Sequence, residues 1–213
     1  MTWPAFSNLK SRVRTVLNES TAGFWTDAEI ARLLNDGERD IAIKTCCLQN
    51  VDALTTALYA TMYRKVQFSG HKVMYLEYAA TTPVGMQKIR PQQLGQLPTE
   101  TVPKYWFQWG QYIIIDPLPA ASYNLNAYIA DYPQYEMYSD ADVPQIPYDF
   151  QEDIVNYAVY MALMKDKKWG RAAAVYQQYI ASLQVKRIKY VEIYPESRAM
   201  KVVPETIEYR KEE

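Results

Sequence analysis

Residues 148–190 constrain the fold of this chain more than any other stretch. They form a long, largely apolar run with a short break at Lys168-Trp169-Gly170. On either side of the break, apolar residues recur at the spacing of one helix face. They are Ile154, Tyr157, Ala158, Met161 and Met164 before it, and Ala173, Tyr176, Ile180 and Leu183 after it. The pattern predicts two helices separated by Gly170 as the breaker, and neither can bury its apolar stripe without further partners.

The N-terminal region supplies two more helices. Thr26-Asp27-Ala28-Glu29 is a capping box, in which the Thr26 hydroxyl accepts from the Glu29 N–H and the Glu29 carboxylate reaches back. With Phe24 and Ile30 as its hydrophobic staple, this box predicts a helix over 27–46. The charged residues of that helix, Glu38 among them, are predicted to face solvent. A preceding helix begins after Pro4, with Lys10, Arg12 and Arg14 predicted to turn away from an apolar stripe formed by Phe6, Leu9, Val13, Val16 and Leu17.

The middle of the chain is predicted to be β-rich. Residues 72–78 predict a strand, and residues 104–130 predict a three-stranded antiparallel meander with short connections. Ile113, Ile114 and Ile115 run without polar alternation, which is typical of a central strand covered on both faces. Two prolines in residues 140–147 then favour an extended linker into the third helix.

These elements predict an α+β fold that is mainly α: a four-helix bundle-like core with an inserted antiparallel β-meander and an extended C-terminal arm. The predicted domains are 1–50 with 147–190 for the helical bundle, 51–146 for the β-rich insertion and its linker, and 191–213 for the arm. The arm is too short and too polar to form its own core, so we expect a partner to cover its apolar residues. The predicted partner-binding residues of the arm are Val191, Ile193, Tyr194, Pro195, Val202, Val203, Ile207 and Tyr209.

Charge and cysteine usage exclude several classes of protein. The formal net charge is −1, so no global basic field attracts nucleic acid. Cys46 and Cys47 are adjacent in a helical pattern, which disfavours a disulfide between them and matches no metal motif. The simplest interpretation is synthesis in a reducing cytoplasm. We find no apolar signal segment at the N-terminus and no apolar run long enough to span a membrane.

No catalytic constellation stands out. His71 is the single histidine and lies in a Ser-Gly-His turn, which predicts a surface residue, although a Ser–His–Asp arrangement stays open. Two pairs of acids could in principle serve glycosidic cleavage, but helix capping and turn formation explain them more simply. These acids are Glu152 with Asp153 and Asp140 with Asp142. The seven glycines form no phosphate-binding loop. The sequence therefore predicts no enzymatic activity, no cofactor and no metal.

Binding surfaces are the stronger hypothesis, because 14 % of the residues are aromatic, including 19 Tyr and 5 Trp. Tyr105, Trp106 and Trp109 cluster on the predicted meander, which favours core packing together with a contact to a partner or another subunit. The alternative is a carbohydrate- or nucleic-acid-binding β-module on a helical scaffold, with Trp106 and Trp109 stacking the ligand. Basic residues near the helix ends suit either solvated helix termini or a surface that faces phosphates; they are Lys165, Lys167, Lys168, Lys186, Arg187 and Lys189.

Four segments, taken in order, resemble those of a known family. They are Phe24-Trp25-Thr26-Asp27-Ala28-Glu29-Ile30 followed by Leu33-Leu34-Asn35-Asp36-Gly37; Tyr105, Gly110 and residues 113–119 (IIIDPLP); Tyr128, Pro133 and the DVPQIPYDFQEDIVNYAV segment; and Trp169, Ala172 and residues 176–179. Their order and spacing resemble the head-to-tail adaptor (connector) proteins of tailed bacteriophages, especially the short-tailed (podovirus) type. Gly37 departs from the pattern, since alanine is more usual there.

The resemblance implies a non-enzymatic virion protein of the head-tail junction, made in the host cytoplasm. It implies a homo-oligomeric ring of twelve copies that binds the portal protein and the tail (nozzle) proteins and continues the DNA channel. Packaged DNA would pass through without sequence-specific binding, and no membrane is involved. The resemblance further implies that the arm reaches a neighbouring ring. In such an assembly we expect the aromatic cluster to contact the tail or another subunit and the basic residues to line the channel. A further hypothesis, an accessory cell-wall hydrolase activity, is supported only by carboxylates that match no catalytic motif.

Overall fold

The computed structural model describes residues 4–19, 21–56, 65–78, 83–93, 102, 104–117 and 122–191. The fold is α+β, as predicted. The described α-helices are α1 (Phe6–Leu17), α2 (Asp27–Thr45), α3 (Gln151–Lys165) and α4 (Trp169–Val191). Single 3₁₀ turns occupy Pro91–Gln93 and Tyr148–Phe150. Val191 is the last residue of α4, and the other predicted arm residues, in 192–213, lie outside the described part of the chain.

The helices from the two ends of the chain pack on each other. The α2–α3 pair is central, because α1 and α4 each pack on both of these helices. The contact of α4 with α3 is longer than its contact with α2. Their apolar stripes meet in one cluster because no single helix can cover its own stripe. The fully buried members of this cluster include Phe6, Leu9, Ile30, Leu34, Ile41, Phe150, Ile154 and Tyr179.

The strands form two four-stranded sheets. The strands are β1 (Gln49–Thr55), β2 (Lys65–Gln67), β3 (Lys72–Tyr78), β4 (Val84–Gly85), β5 (Gln87–Lys88), β6 (Tyr105–Trp109), β7 (Tyr112–Asp116) and β8 (Asn124–Ala130). One sheet has the order β1-β8-β3-β4 and the other β2-β7-β6-β5. Apart from the parallel β5–β6 pair, neighbouring strands are antiparallel. Side chains from both sheets, among them Leu76, Trp106, Ile113 and Leu125, share a second buried cluster.

The predicted three-stranded meander over 104–130 needs correction. Strands β6 and β7 form the expected hairpin, but β8 pairs with β1 and β3 of the other sheet. Both edges of β7 are already occupied by β2 and β6, so β7 is a central strand, as its three isoleucines predicted. Strand β8 instead buries Leu125, Ala127 and Ile129 against the shared core from the opposite sheet.

The helices and the sheets meet where α2 ends. Cys46, which follows α2 with a left-handed φ of 55°, forms a small buried cluster with Met74 of β3 and Ala130 of β8. The chain then enters β1 directly. The larger buried clusters thus comprise a helical one and a sheet one, while the division of the chain into three domains stays a prediction.

The capping box at the start of α2 is confirmed. The Glu29 N–H donates to Thr26 Oγ1 at 3.2 Å, and the Thr26 N–H donates to Glu29 Oε2 at 3.0 Å. The neighbouring aromatic residues differ from the prediction, because Phe24 is 53 % exposed. Trp25 is the buried one, and its Nε1 donates to the Ala162 carbonyl of α3 at 3.3 Å. Trp25 therefore fixes the start of α2 against α3.

The break between α3 and α4 lies three residues earlier than predicted. Helix α3 ends at Lys165, and Lys167 adopts a left-handed φ of 56°. The Lys168 N–H donates to the Leu163 carbonyl at 3.0 Å and the Lys167 N–H to the Met164 carbonyl at 3.1 Å. These two bonds are a Schellman motif, which closes a helix C-terminus. Gly170 lies inside α4 and is not the breaker.

The departure of Gly37 from the family pattern has a packing reason. A Cβ built on Gly37 would lie 2.9 Å from Cδ1 of Tyr157, closer than real Cβ atoms approach. Because the large Tyr157 ring of α3 occupies the space beside α2, glycine fits at this position and alanine would force the ring to shift.

Two charged residues predicted to face solvent are buried instead. Arg14 is 8 % exposed and Glu38 is 1 % exposed. The Arg14 guanidinium donates to the Trp25 carbonyl at 3.2 Å, and Glu38 accepts from the backbone N–H groups of Gln145 and Ile146. Both side chains satisfy the backbone of loops that return to the bundle. Helix periodicity does not predict the burial of these two residues, because the loops that contact them belong to other parts of the chain.

Glu38 makes stability depend on pH in an unusual direction. Burial raises the pKa of Glu38, although the two backbone donors oppose the shift. Since the folded state then binds the proton more tightly, this stabilisation is present at low pH and is lost as pH rises through the raised pKa. Glu38→Gln keeps the acceptor but cannot ionise, so its stability relative to wild type should increase with pH. Urea unfolding of both proteins across the acid range measures this difference, and a difference that stays constant would contradict it.

Candidate partner-binding surfaces

The predicted aromatic cluster divides into a buried part and an exposed part. Trp106 is fully buried, and its Nε1 donates to the Met86 carbonyl at 3.2 Å. Tyr105, one residue earlier on β6, is half-buried. Trp109 is 66 % exposed at the end of the same strand. Because successive side chains on a strand alternate between faces, the three residues cannot share one surface. Trp106 belongs to the sheet core.

The exposed tip of the β6–β7 hairpin carries Trp109 and Tyr112 directly opposite each other. Gly110 connects them with a left-handed φ of 58°, a conformation that glycine adopts without strain. The Gln108 side chain braces this turn: Nε2 donates to Gly110 O at 3.0 Å and to His71 O at 3.1 Å. Gln108 was not among the predicted site residues, because no local motif marks it. The tip is therefore a fixed aromatic projection rather than a loose loop.

Four of the six predicted basic residues are neutralised within the chain. The ion pairs are Lys165–Glu29 at 2.6 Å, Lys168–Asp166 at 2.5 Å, Lys186–Asp153 at 2.5 Å and Lys189–Asp149 at 2.7 Å. The Lys165 ammonium, together with the capping N–H, lowers the pKa of Glu29 to about 2. Lys189 likewise lowers the pKa of Asp149. These lysines mainly form ion pairs that stabilise helix ends and their contacts with neighbouring segments.

Lys167 and Arg187 make no ion pair among the described residues. They belong to different groups, because the turn before α4 carries the first three basic residues and the last turns of α4 carry the other three. About 25 Å of helix separates the two groups. The structure therefore does not gather the six residues into one basic patch.

The last turn of α4 is held by contacts with β1 and with the 3₁₀ turn before α3. The Gln49 side chain at the start of β1 donates to the Tyr190 carbonyl at 3.3 Å. The Tyr190 ring lies 5.7 Å from that of Phe150. The C-terminal end of α4 is therefore anchored to both the bundle and β1.

His71 is more enclosed than a surface-turn residue. It is half-buried, its ring centroid lies 5.1 Å from that of Tyr132, and Nε2 lies 4.0 Å from Cys46 Sγ. Burial lowers the pKa of His71 and raises the pKa of Cys47 to about 11. Cys46 and Cys47 are free and buried. A thiol with a raised pKa is a poor nucleophile, so packing accounts for Cys47.

The carboxylates weighed as catalytic pairs all have structural partners. Glu152 pairs with Arg12, Asp153 with Lys186, Asp140 with Lys10, and Asp142 accepts from the backbone N–H groups of Tyr138 and Ser139. In the part of the chain that the structure describes, no cluster of three His, Cys, Asp or Glu side chains could hold a metal ion. None of the described helices is long and apolar enough to cross a membrane.

The fold and these surfaces define an α+β protein whose exposed aromatic and apolar features suit contacts with other proteins. Residues 4–199 match the family model described as SU10 adaptor protein. Because the match covers most of the chain, the protein belongs to the SU10 adaptor protein family, a family of structural phage head-tail adaptors. The predicted resemblance to head-to-tail adaptors is confirmed at this level. No curated protein matches the chain significantly.

Proposed function

We propose that this chain is the subunit of a ring that joins the portal to the tail of a short-tailed phage and continues the DNA channel. The observation that carries the proposal is the family match over residues 4–199. In the proposed assembly twelve copies, made in the host cytoplasm, close into a ring between the portal protein and the tail (nozzle) proteins. A cyclic ring uses the same two faces of every copy, so all copies form equivalent contacts.

The arm is the proposed attachment to the neighbouring ring. Its apolar residues, from Ile193 to Tyr209, alternate with charged ones and need a partner surface to cover them. Its root at Tyr190 is anchored to Phe150 and Gln49, so the start of the arm has a defined position on the bundle. The braced hairpin tip with Trp109 is the proposed contact to the tail or to another subunit, with half-buried Tyr105 behind it.

Of the six predicted channel-lining residues, we retain those that make no ion pair among the described residues. Lys165, Lys168, Lys186 and Lys189 face their own carboxylates, whereas Lys167 and Arg187 do not. A few unpaired cations per copy, repeated around a ring, would face DNA phosphates without reading bases. This is consistent with DNA that passes through without sequence-specific binding.

Removing residues 191–213 tests the attachment role. We expect the truncated protein to keep its thermal unfolding midpoint, because the described core ends with α4, and to lose stable docking onto the portal ring. Circular dichroism measures the first, and co-sedimentation with portal rings followed by negative-stain electron microscopy measures the second.

A full-length control separates arm contacts from arm length. Val202→Asp with Val203→Asp keeps the full length of the arm but places charge at two of its apolar positions, so it should dock as poorly as the truncation. If the truncated protein docks on the portal as well as the full chain, the arm is not the attachment.

The ligand-binding β-module is less well supported by the geometry. It requires Trp106 and Trp109 to stack a sugar or a base together. Since Trp106 is fully buried, one of those two rings is unavailable. Among the described residues, Lys65 Nζ lies 5.1 Å from the Tyr112 ring centroid at the tip.

A further inference from the structure

Over most of its length, the exposed face of α4 lacks the charged side chains that a solvent-exposed helix face normally carries. Residues 172–185 are fourteen consecutive residues without a charge. Their exposed members are small, amide or apolar side chains: Ala173, Ala174, Tyr176, Gln177, Gln178, Ala181, Gln184 and Val185. Val185 is 73 % exposed, and Ile188 extends the face at 53 %. By contrast, α2 exposes Arg32, Asp36 and Arg39, as a helix in water normally does.

A second uncharged helix face lies on the opposite side of the bundle. Helices α1 and α4 each pack on the central α2–α3 pair and do not pack on each other. The exposed side chains of α1 are Asn8, Ser11, Thr15 and Val16, none of them charged. Its cations turn back onto their own chain, where Lys10 pairs with Asp140 and Arg12 with Glu152.

A hollow beside α1 borders the buried Arg14 side chain. The hollow has a volume of about 530 Å³, and its lining includes Ser11, Arg14 and Thr15. Arg14 is 8 % exposed, and its Nη1 has no hydrogen-bond acceptor among the described residues, with Glu19 Oε2 at 3.7 Å. That nitrogen is shielded from solvent, and the other Nη of the guanidinium donates to Trp25 O and Asp27 Oδ1. The groups of the hollow that are open to a neighbouring molecule therefore include the exposed Ser11 and Thr15.

We infer that the outward face of α4 on one copy packs against the α1 face of the next copy in the ring. The inference rests on the proposed ring, and it assigns the two subunit faces of that ring. A cyclic contact joins two different surfaces of the same chain, and α4 and α1 are different surfaces on opposite sides of the bundle. Residues 172–185 of α4 and the exposed residues of α1 include no charged side chain, whereas the exposed carboxylates of Asp27 and Asp140 line the hollow beside α1.

The two faces also match in length and chemistry. At 1.5 Å per residue, α1 is about 18 Å long and the uncharged part of α4 about 21 Å. The α4 face presents Gln177, Gln178 and Gln184, whose amide groups both donate and accept hydrogen bonds. The hollow beside α1 is lined in part by Ser11, Thr15 and Asn18. The hydroxyl and amide groups of these side chains also both donate and accept.

Cysteine crosslinking in assembled rings tests the assignment. Val185→Cys on α4 and Val16→Cys on α1 replace exposed valines, while Cys46 and Cys47 are buried. With portal-bound rings and a short bismaleimide, each single variant should give no crosslink. A mixture of the two should give dimers and nothing larger, because each copy carries one reactive thiol. The double variant should give a ladder that ends at the full ring.

A matched control variant, together with a check that rings form, determines whether each result supports or contradicts the assignment. Val84→Cys places a thiol at a valine of similar exposure, 55 %, on the edge of a sheet. If it joins Val185→Cys as efficiently as Val16→Cys does, or if Val185→Cys joins itself, the assignment is wrong. The same holds if rings form but the mixture gives no dimer. If the wild-type protein forms no ring with the portal, the proposed function fails, and this inference fails with it.

Discussion

Lys186→Met should lower the free energy of unfolding by about 2–4 kcal/mol, slightly less than for a fully enclosed pair because Lys186 keeps some contact with water. The Asp153 side chain is 1 % exposed, and Lys186 Nζ lies 2.5 Å from its Oδ2. The same ammonium donates to the Asp149 carbonyl at 2.7 Å. Methionine preserves the apolar stem, so the loss reports the buried carboxylate that remains without its cation.

Lys189→Met is the matched control, since Lys189 lies on the same turn of α4 and also pairs with an aspartate. Its partner Asp149 is 48 % exposed, and the pair is open to water. We therefore expect little change in stability for Lys189→Met. Urea unfolding of both variants checks the comparison. Adding Asp153→Asn to Lys186→Met should restore much of the loss, and equal effects of the two lysine variants would disprove the buried-charge explanation.

Trp106→Ala should lower the free energy of unfolding by about 3–5 kcal/mol. Trp106 is among the largest fully buried side chains, and it packs in the core shared by the two sheets. Its removal leaves a cavity and also leaves the Met86 carbonyl without the indole donor. Urea unfolding followed by circular dichroism measures the change.

Trp109→Ala, three residues along the same strand, should leave stability nearly unchanged because Trp109 is 66 % exposed. It should instead weaken binding of the tail protein or neighbouring subunit that contacts the hairpin tip. Quantitative pull-down of assembled partners measures this second effect. A large loss of stability in Trp109→Ala, or a small one in Trp106→Ala, would reverse the roles assigned to the two tryptophans.

Local signals in the sequence predicted local structure well. The capping box at Thr26 and Glu29 marks the start of α2, because both of its hydrogen bonds form within four residues. The strand over Lys72–Tyr78 is also at its predicted position. In both cases the groups that stabilise the element are close along the chain, so spacing alone identifies them.

The errors arise where a distant segment supplies the partner. Glu38 sits on the buried side of α2 because the backbone at 145–146 needs an acceptor there. Arg14 is buried because the loop leading into α2 brings the Trp25 carbonyl to it. A helical wheel places both residues by polarity. Only contacts across more than ten residues of sequence reverse that placement.

For the candidate partner-binding surfaces too, local sequence identified the residue types, and contacts with distant segments decided which of them are exposed or unpaired. Composition indicated an aromatic, partner-binding protein, but Trp106 and Trp109 could not be sorted into core and surface until the strand faces were known. The six basic residues looked like two clusters of free charge, whereas ion pairs with Glu29, Asp166, Asp153 and Asp149 use four of them.

By itself, the amino-acid sequence determined the α+β class, the helices, the α2 cap and the resemblance to adaptor proteins, since periodicity, capping and motif order are read along the chain. Tertiary structure alone decided that β8 joins the second sheet, that Trp106 is core, and that α1 and α4 lie on opposite sides of the α2–α3 pair. The physical reason is that burial and strand pairing depend on which distant segment packs against an edge or a face, and residue spacing along the chain does not contain that information.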